Sequence, residues 1–533
     1  MMRRLLLWLL LALLLTGCGF ARPAPSVFMP VPAGLPPGNG GTLIMAWGAR
    51  DPNTLDPALS GDVGSAFVIR QLFSGLVRLD VNLEVQPDLA ETWQISEDGL
   101  IYTFTLRADA RFADGRAITS ADVIYSLERA CDPQLGSNLP AATYLSDIVG
   151  ATEKLRGQAQ KIAGLRAIDD RTLEITIDAP KSYFLSKLTH PSSFVVDEQA
   201  VVAGGATWTE QPNGSGPFEI EEWRHDQLLV IKRNLNYYRD LPKLDRVRFL
   251  IGAAASNPQM LYEQGQIDLT EVPSYALARV QDTSNPLAKE LVQVPQLSLY
   301  YIGLNVNLPP FDDPKVREAF SLLLDRQKLT EVSLYGAVEQ AHGILPPGIP
   351  GYNPDLPASS SDMDRVRTLI AESRYGSIEN LPPIVAYGGW SGVLQEVAEQ
   401  QLGLKIEVRG YEDFGDYLAA LDRQEFQIYG TGWIADYPDP QNFVDVLFRG
   451  GSSQNHTGYD NPEVNVLLDQ AAVATDEATR LELYRQAEQI ILADVPVIPI
   501  YHDVSYTLVK PYVRGLNITP MGILDLSSVE LVR

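Results

Sequence analysis

A chain of 533 residues cannot close around one hydrophobic core. Single cores stop growing at roughly 250–300 residues, so at least two separately packed bodies are required. With 45% hydrophobic and 20% charged residues, the material for those cores is present. Their internal pattern is mixed. Residues 101–107 (IYTFTLR) set Tyr102, Phe104 and Leu106 on one face and Thr103 and Thr105 on the other, after the turn Asp98-Gly99, which predicts a half-exposed strand. Residues 172–177 (TLEITI) alternate in the same way after Asp169-Asp170. Between them, Thr119 with Asp122 resembles a capping box, and Val123, Leu127 and Ala130 then line one helical face. Asp313-Pro314 starts another helix, as N-cap and first helical position, carrying Val316, Phe320, Leu323 and Leu324. A further helix over 476–493 keeps Leu481, Tyr484 and Ile491 on one side, must stop before Pro496, and leaves 497–501 as a short buried strand. Helices and strands intercalated without a fixed repeat indicate α/β lobes.

The N-terminus reads as an address. Arg3 and Arg4 precede an unbroken apolar stretch over 5–15 that ends at Leu15-Thr16-Gly17-Cys18, the pattern of a signal peptide covering 1–17. As a helix the stretch would span about 16 Å, well short of the roughly 30 Å hydrocarbon core. Leu-Thr-Gly-Cys resembles the bacterial lipobox, in which the cysteine is diacylated and becomes the new N-terminus; the alternative is an ordinary secretory signal with an incidental cysteine. Two or three acyl chains anchor far more firmly than one. Cys18 is therefore the expected lipidation site, and the rest of 18–40, rich in Pro and Gly, reads as a semi-rigid linker rather than part of a fold. With Cys18 acylated, Cys131 has no partner within the chain and reads as a small buried hydrophobe.

Charge and motifs narrow the function by exclusion. The 67 acidic against 42 basic side chains, a formal charge of −25, are the wrong sign for a nucleic-acid binder. Two cysteines rule out a disulfide framework, and the five histidines form no metal-binding pair. Phosphate-binding loop, nucleophile elbow and dinucleotide fingerprint are all missing, so no enzyme, cofactor, metal site or catalytic residue is expected. Ser215 in Gly214-Ser215-Gly216-Pro217 has the wrong glycine spacing for a nucleophile, and Pro217 lacks the N–H an oxyanion hole would use; a tight turn is the better reading. The informative stretch is Gly432-Trp433-Ile434-Ala435-Asp436-Tyr437-Pro438-Asp439-Pro440, after a short strand at 426–429. Its prolines and aspartates make a rigid turn that sets Trp433 and Asp436 at a strand edge. Alone, such a stretch would be a packed Trp beside a capping Asp.

The company it keeps is more specific. Thr54-Leu55-Asp56-Pro57 with Leu72-Phe73-Ser74-Gly75-Leu76-Val77, then Pro87-Asp88-Leu89-Ala90-Glu91-Thr92-Trp93, Tyr102-Thr103-Phe104 and Ala121-Asp122-Val123, run in one order near one spacing. Gly214-Ser215-Gly216-Pro217-Phe218, Tyr300-Tyr301-Ile302-Gly303-Leu304-Asn305, Val316-Arg317-Glu318-Ala319, the Gly432–Pro440 stretch and Asp494-Val495-Pro496 continue it. This series resembles the bacterial extracellular solute-binding protein family 5, the oligopeptide- and dipeptide-binding lipoproteins of ABC importers, over about 41–533.

The resemblance implies an α/β, two-lobed periplasmic-binding-protein-like fold (type II, cluster C) with three domains and a hinge. Domain I would comprise 41–90, 206–296 and 505–533, domain II 91–205, and domain III 297–504, with the chain crossing between lobes near 295–304 and 500–507. It also implies a monomeric, non-enzymatic binding protein on the outer face of the cell membrane or in the periplasm, delivering a peptide to a permease. The same role with an oligosaccharide or metal chelate is the alternative, and a secreted hydrolase is a more distant one. By resemblance Asp436 receives a peptide's α-ammonium. Backbone near Gly216, Tyr301, Gly303 and Gly432 would bind the peptide as an added strand, and Trp433, Tyr437 and Trp390 would form apolar walls, a purely structural Trp390 being equally open. Where some members place an arginine for the peptide carboxylate this chain has Gly430; Arg409 is either a substitute or a solvated strand-end arginine.

Overall fold

The computed structural model describes residues 40–358, 360–411 and 414–532, with the backbone of Val27 and Phe28. Cys18, the signal segment and most of the expected linker lie outside the described residues. The linker expectation is corrected at one point: Val27–Phe28 pairs antiparallel with Asn517–Ile518, so the segment touches the body of the protein.

Three sheets organise the chain. A seven-stranded sheet runs in the order Leu291–Pro295, Val504–Val509, Leu269–Glu271, Thr42–Gly48, Arg246–Ile251, Leu228–Arg233, Phe218–Arg224. Its first-made strand, Thr42–Gly48, is central and parallel to both neighbours, so segments distant in sequence must close around it. An antiparallel four-stranded sheet orders Ala90–Ile95, Ile101–Leu106, Thr172–Thr176 and Leu165–Ala167. The alternation in Ile101–Leu106 does as the pattern predicts: Tyr102, Phe104 and Leu106 are buried while Thr103 and Thr105 stay half-exposed. The six-stranded sheet orders Glu339–Gln340, Val497–His502, Ser298–Leu304, Ile428–Ile434, Ile384–Tyr387 and Ile406–Arg409. Its two faces are covered by separate apolar clusters, one around Tyr301, Tyr429 and Tyr484, the other around Ile302, Phe320 and Ile428.

Helix starts follow their capping chemistry. Asp313 accepts a 2.9 Å bond from the Lys315 N–H at the head of helix Pro314–Leu323, and Asp476 one of 2.8 Å from the Thr479 N–H at the head of Glu477–Asp494. Helix Ser120–Ala130 begins at Thr119, whose N–H donates to Asp122 at 2.8 Å. Its buried face carries Val123, Leu127, Ala130 and, just beyond, Cys131, whose thiol burial pushes up to about 12.

The chain passes between the seven- and six-stranded sheets twice. Pro295 ends one strand and Ser298 begins the next; His502 ends one and Val504 begins the next. The two crossings are laced together, since the Gln296 N–H donates to the Asp503 carbonyl at 2.8 Å and the Asp503 N–H to Ser298 Oγ at 2.9 Å. Two adjacent connectors allow rotation of one lobe on the other while neither sheet is broken.

Candidate functional site

The strand Ile428–Ile434 runs on through Gly432 and Trp433, where a shorter strand ending at Tyr429 was expected. It pairs along its whole length with Ser298–Leu304, but on its other side with Ile384–Tyr387 only at Ile428 and Tyr429. The Asn305 N–H bonds the Gln427 carbonyl and the Ala435 N–H the Leu297 carbonyl, so odd-numbered residues turn their backbone groups to the paired side. Even-numbered residues turn the other way; the Gly430 carbonyl there accepts a 2.7 Å bond from the Tyr417 hydroxyl. The backbone N–H and C=O groups of Gly432 and Ile434 therefore point to a sheet edge that is open among the described residues. Tyr300 lies opposite Gly432 with its ring covering the glycine, and a Cβ on Gly432 would stand 2.5 Å from Tyr300 Cε1.

Two residues past the strand stands Asp436. Buried Asn442 fixes it: Asn442 Oδ1 accepts from the Asp436 N–H and from Trp433 Nε1, each at 3.0 Å, while its Nδ2 donates to Asp436 Oδ2 at 3.3 Å. From the other lobe the Tyr144 hydroxyl donates to the same Oδ2. Burial raises the Asp436 carboxyl above the ordinary carboxylate range, opposed by the bonds from Tyr144 and Asn442 and by the charge of Arg70. Burial, then the Asp436 charge, also pushes the Tyr144 hydroxyl well above its usual value, so it stays a neutral donor. Tyr144 stacks on His190, centroids 3.6 Å apart and planes 8° from parallel. His190 Nδ1 accepts from the Ser192 N–H, and burial, aided by Arg70, keeps the ring neutral at pH 7.

Tyr144, His190, Gly432, Trp433 and Asp436 line an inter-lobe cavity of about 610 Å³, within the roughly 300–1,000 Å³ typical of small-ligand sites. One side comes from Phe67 and Arg70 of helix Val63–Leu72, with Tyr144 and His190; the facing side includes Tyr301, Trp390, Gly432, Trp433 and Asp436. Leu418, Leu421, Leu447, Met521, Ile523 and Leu524 make much of the remainder apolar. Trp390 sets its edge on Tyr501, 5.5 Å between centroids, and Tyr501 stacks on Tyr300 at 4.6 Å.

Of the residues expected at a ligand, Asp436, Trp433, Gly432, Trp390 and Tyr301 meet at this cavity and three do not. Tyr437 is fully buried behind Tyr144, its hydroxyl bonded to Gln441. Gly303 lies near the end of strand Ser298–Leu304 under the ring of Tyr429, and this strand is paired on both sides, leaving no open edge at Tyr301 or Gly303 for an added strand. Gly216 is pressed on the end of helix Val63–Leu72, where a Cβ would stand 2.5 Å from the Gln71 carbonyl oxygen. Arg409 lies on the surface, bonded to Glu407 at 2.7 Å, outside the cavity. Arg70, Tyr144, His190 and Asn442 were not expected. Asn442 was within reach, six residues beyond Asp436 in a turn-rich stretch; the others come from the opposite lobe with no local motif.

Residues 84–455 match the sequence profile of the bacterial extracellular solute-binding proteins, family 5 Middle, and the chain belongs to this family. It is 30% identical over 503 residues to the periplasmic oligopeptide-binding protein OppA of Escherichia coli, covering 91% of each chain. The E. coli murein tripeptide-binding protein MppA superposes with a TM-score of 0.84 at 27% identity, over 93% of this chain and 99% of its own. An unliganded open form of MppA reaches only 0.67, at 27% identity over 94% and 99%. The lobes here are thus not arranged as in that open form, in keeping with the Tyr144–Asp436 bond across the cleft.

Proposed function

We propose that this protein captures a peptide between its lobes and delivers it to the permease of an ABC importer, without catalysing a reaction on it. The observation that carries this reading is the pairing of a half-buried, clamped carboxylate, Asp436, with the open edge at Gly432 and Ile434. A peptide added there as a strand would satisfy those backbone groups whatever its side chains, and its α-ammonium would meet Asp436 in a charge-assisted bond. Trp433, Trp390 and Tyr301 would pack against its apolar parts, and the residues from the opposite lobe would cover it. The relatives named for oligopeptide and murein tripeptide binding support the same ligand class.

In this reading the three sheets belong to three domains, 41–90 with 206–296 and 505–533, 91–205, and 297–504, turning about the laced crossings. The protein acts as a monomer held outside the cytoplasmic membrane by acylated Cys18. Native mass spectrometry of protein purified from its own host, followed by calorimetry with di- to pentapeptides, tests the function. A peptide in the cleft and saturable 1:1 binding are expected; a saccharide or metal chelate there would overturn the peptide assignment, and cleavage of added peptides would overturn the non-catalytic one.

A further inference from the structure

Arg70 stands in the last turn of helix Val63–Leu72 at the cavity wall. Its guanidinium carbon lies 5.7 Å from the Phe194 ring centroid, and Nη1 donates to the Thr189 carbonyl at 2.9 Å. Among the described residues it forms no ion pair, although many other lysines and arginines do, Arg129 with Asp56 and Arg480 with Asp439 among them. Burial pulls its pKa down to about 10, with Asp436 and Tyr144 opposing, so it remains a cation at pH 7. The groups that face it sharpen the asymmetry. Tyr144 and His190 are held neutral, and Asp436 is the carboxylate whose charge Arg70 feels, without touching it. Asp62, also at the cavity wall, is engaged as the helix cap, accepting from the Ser65 N–H at 2.9 Å, Ser65 Oγ at 2.8 Å and Asn53 Nδ2 at 3.1 Å. His456 on the far wall is kept neutral by burial, opposed by Asp422.

Among the described residues the charges at the cavity wall are therefore balanced around one half-buried cation, Arg70, and one half-buried anion, Asp436, with Asp62 spent on its helix cap. An ammonium docking on Asp436 breaks that balance and leaves the half-buried guanidinium without a counter-charge, a costly state once the ligand excludes water from the cleft. A ligand that brings its own anion restores it, and a planar guanidinium with free N–H groups suits a carboxylate. We propose that Arg70 is the anion subsite of the cleft, receiving a ligand carboxylate carried close to the ammonium held by Asp436. This deepens, and rests on, the peptide reading above. It makes the preferred ligands zwitterionic at one end: dipeptides through their C-terminal carboxylate, or longer peptides whose first residue is acidic.

Matched ligand pairs test it by calorimetry on wild type, Arg70→Gln and Arg70→Lys: Leu-Leu against Leu-Leu-amide, and Glu-Leu-Leu against Gln-Leu-Leu. Wild type is expected to prefer the carboxylate member of at least one pair by about 10- to 100-fold, as hydrogen bonds to a charged group typically provide. Arg70→Gln is expected to erase that ratio and Arg70→Lys to keep part of it. The pair that responds identifies the source of the carboxylate. Because the readout is a ratio, a loss of folded protein, which scales both members alike, does not mimic it. Equal ratios in wild type and Arg70→Gln overturn the proposal, as does equal weakening of all four ligands, the sign of a packing role against Phe194 and Thr189. Asp436→Asn separates the two readings: if it leaves every affinity unchanged while the Arg70 ratio responds, the ammonium site is wrong and the anion site stands. A wild type that binds neither pair refutes both.

Discussion

Replacing Asp436 by Asn removes one formal charge and little else. The Asp436 N–H keeps its acceptor on Asn442 at 3.0 Å, and an amide oxygen can still accept from the Tyr144 hydroxyl and Asn442 Nδ2. What is lost is the counter-charge to a buried ammonium. Breaking such a pair by removing one partner costs about 3–5 kcal/mol, and each 1.4 kcal/mol is tenfold, so peptide affinity is expected to fall by about 10²- to 10³-fold. The assay is titration calorimetry at pH 7 with a neutral-side-chain tripeptide and its N-acetyl form. In wild type, acetylation should weaken binding by a similar factor; in Asp436→Asn it should matter little, because both changes delete the same contact. If Asp436→Asn binds the free peptide within about threefold of wild type, or if acetylation weakens both proteins equally, the ammonium does not sit on Asp436.

Acidity should act on the same residue with a defined sign. Because burial holds its native pKa above the ordinary 3.8, peptide affinity measured by fluorescence titration should decline as pH falls through that raised value, and Asp436→Asn should flatten the profile. For the fold without peptide the sign reverses: a raised native pKa means stability present at low pH and lost as pH rises through that pKa. Asp147 is the opposite case. Burial alone would raise its pKa, but Lys187 Nζ at 2.7 Å and Lys181 Nζ at 2.6 Å more than offset this and hold it low. Its stabilisation is present above 3.8 and lost as pH falls through the native value, and Asp147→Asn, which strands the buried Lys187 ammonium while Lys181 keeps Asp178 at 2.8 Å, should cost about 3–5 kcal/mol in denaturant unfolding. Glycine to alanine at 303 and at 432 should part ways: Gly303→Ala collides with the Tyr429 ring and should lower stability, whereas Gly432→Ala need only tilt Tyr300 at the cavity wall and should weaken peptide binding more than it lowers the melting temperature.

The elements legible in the sequence are those whose cause is local. Asp313-Pro314 and Thr119 with Asp122 mark helix starts because a cap is satisfied within three residues, and Ile101–Leu106 declares its strand because one face is apolar. Asp436 was legible through its motif, while its setting was not. The hydroxyl on its carboxylate comes from Tyr144, 292 residues away, and the cation it feels from Arg70 of helix Val63–Leu72. No pattern along one segment encodes a meeting between two lobes. The glycines show the reverse error. Gly216, Gly303 and Gly432 look alike in sequence, each inside a family-like motif, yet Gly216 is needed for a helix end to approach, Gly303 for a buried tyrosine ring, and only Gly432 stands at an open edge.

The net charge belongs to the same question of what is local. A formal charge of −25 suggests an electrostatic trap for cations, but among the described residues the cavity wall carries two aspartates, one spent on capping a helix, and one arginine. Screening within about 10 Å at ordinary ionic strength leaves distant surface carboxylates little influence inside the cleft. Affinity should therefore change little between about 0.05 and 0.5 M salt, while the association rate for a cationic peptide should fall. A steep loss of equilibrium affinity with salt would mean that the surface, rather than the Asp436 and Arg70 pair, selects the ligand.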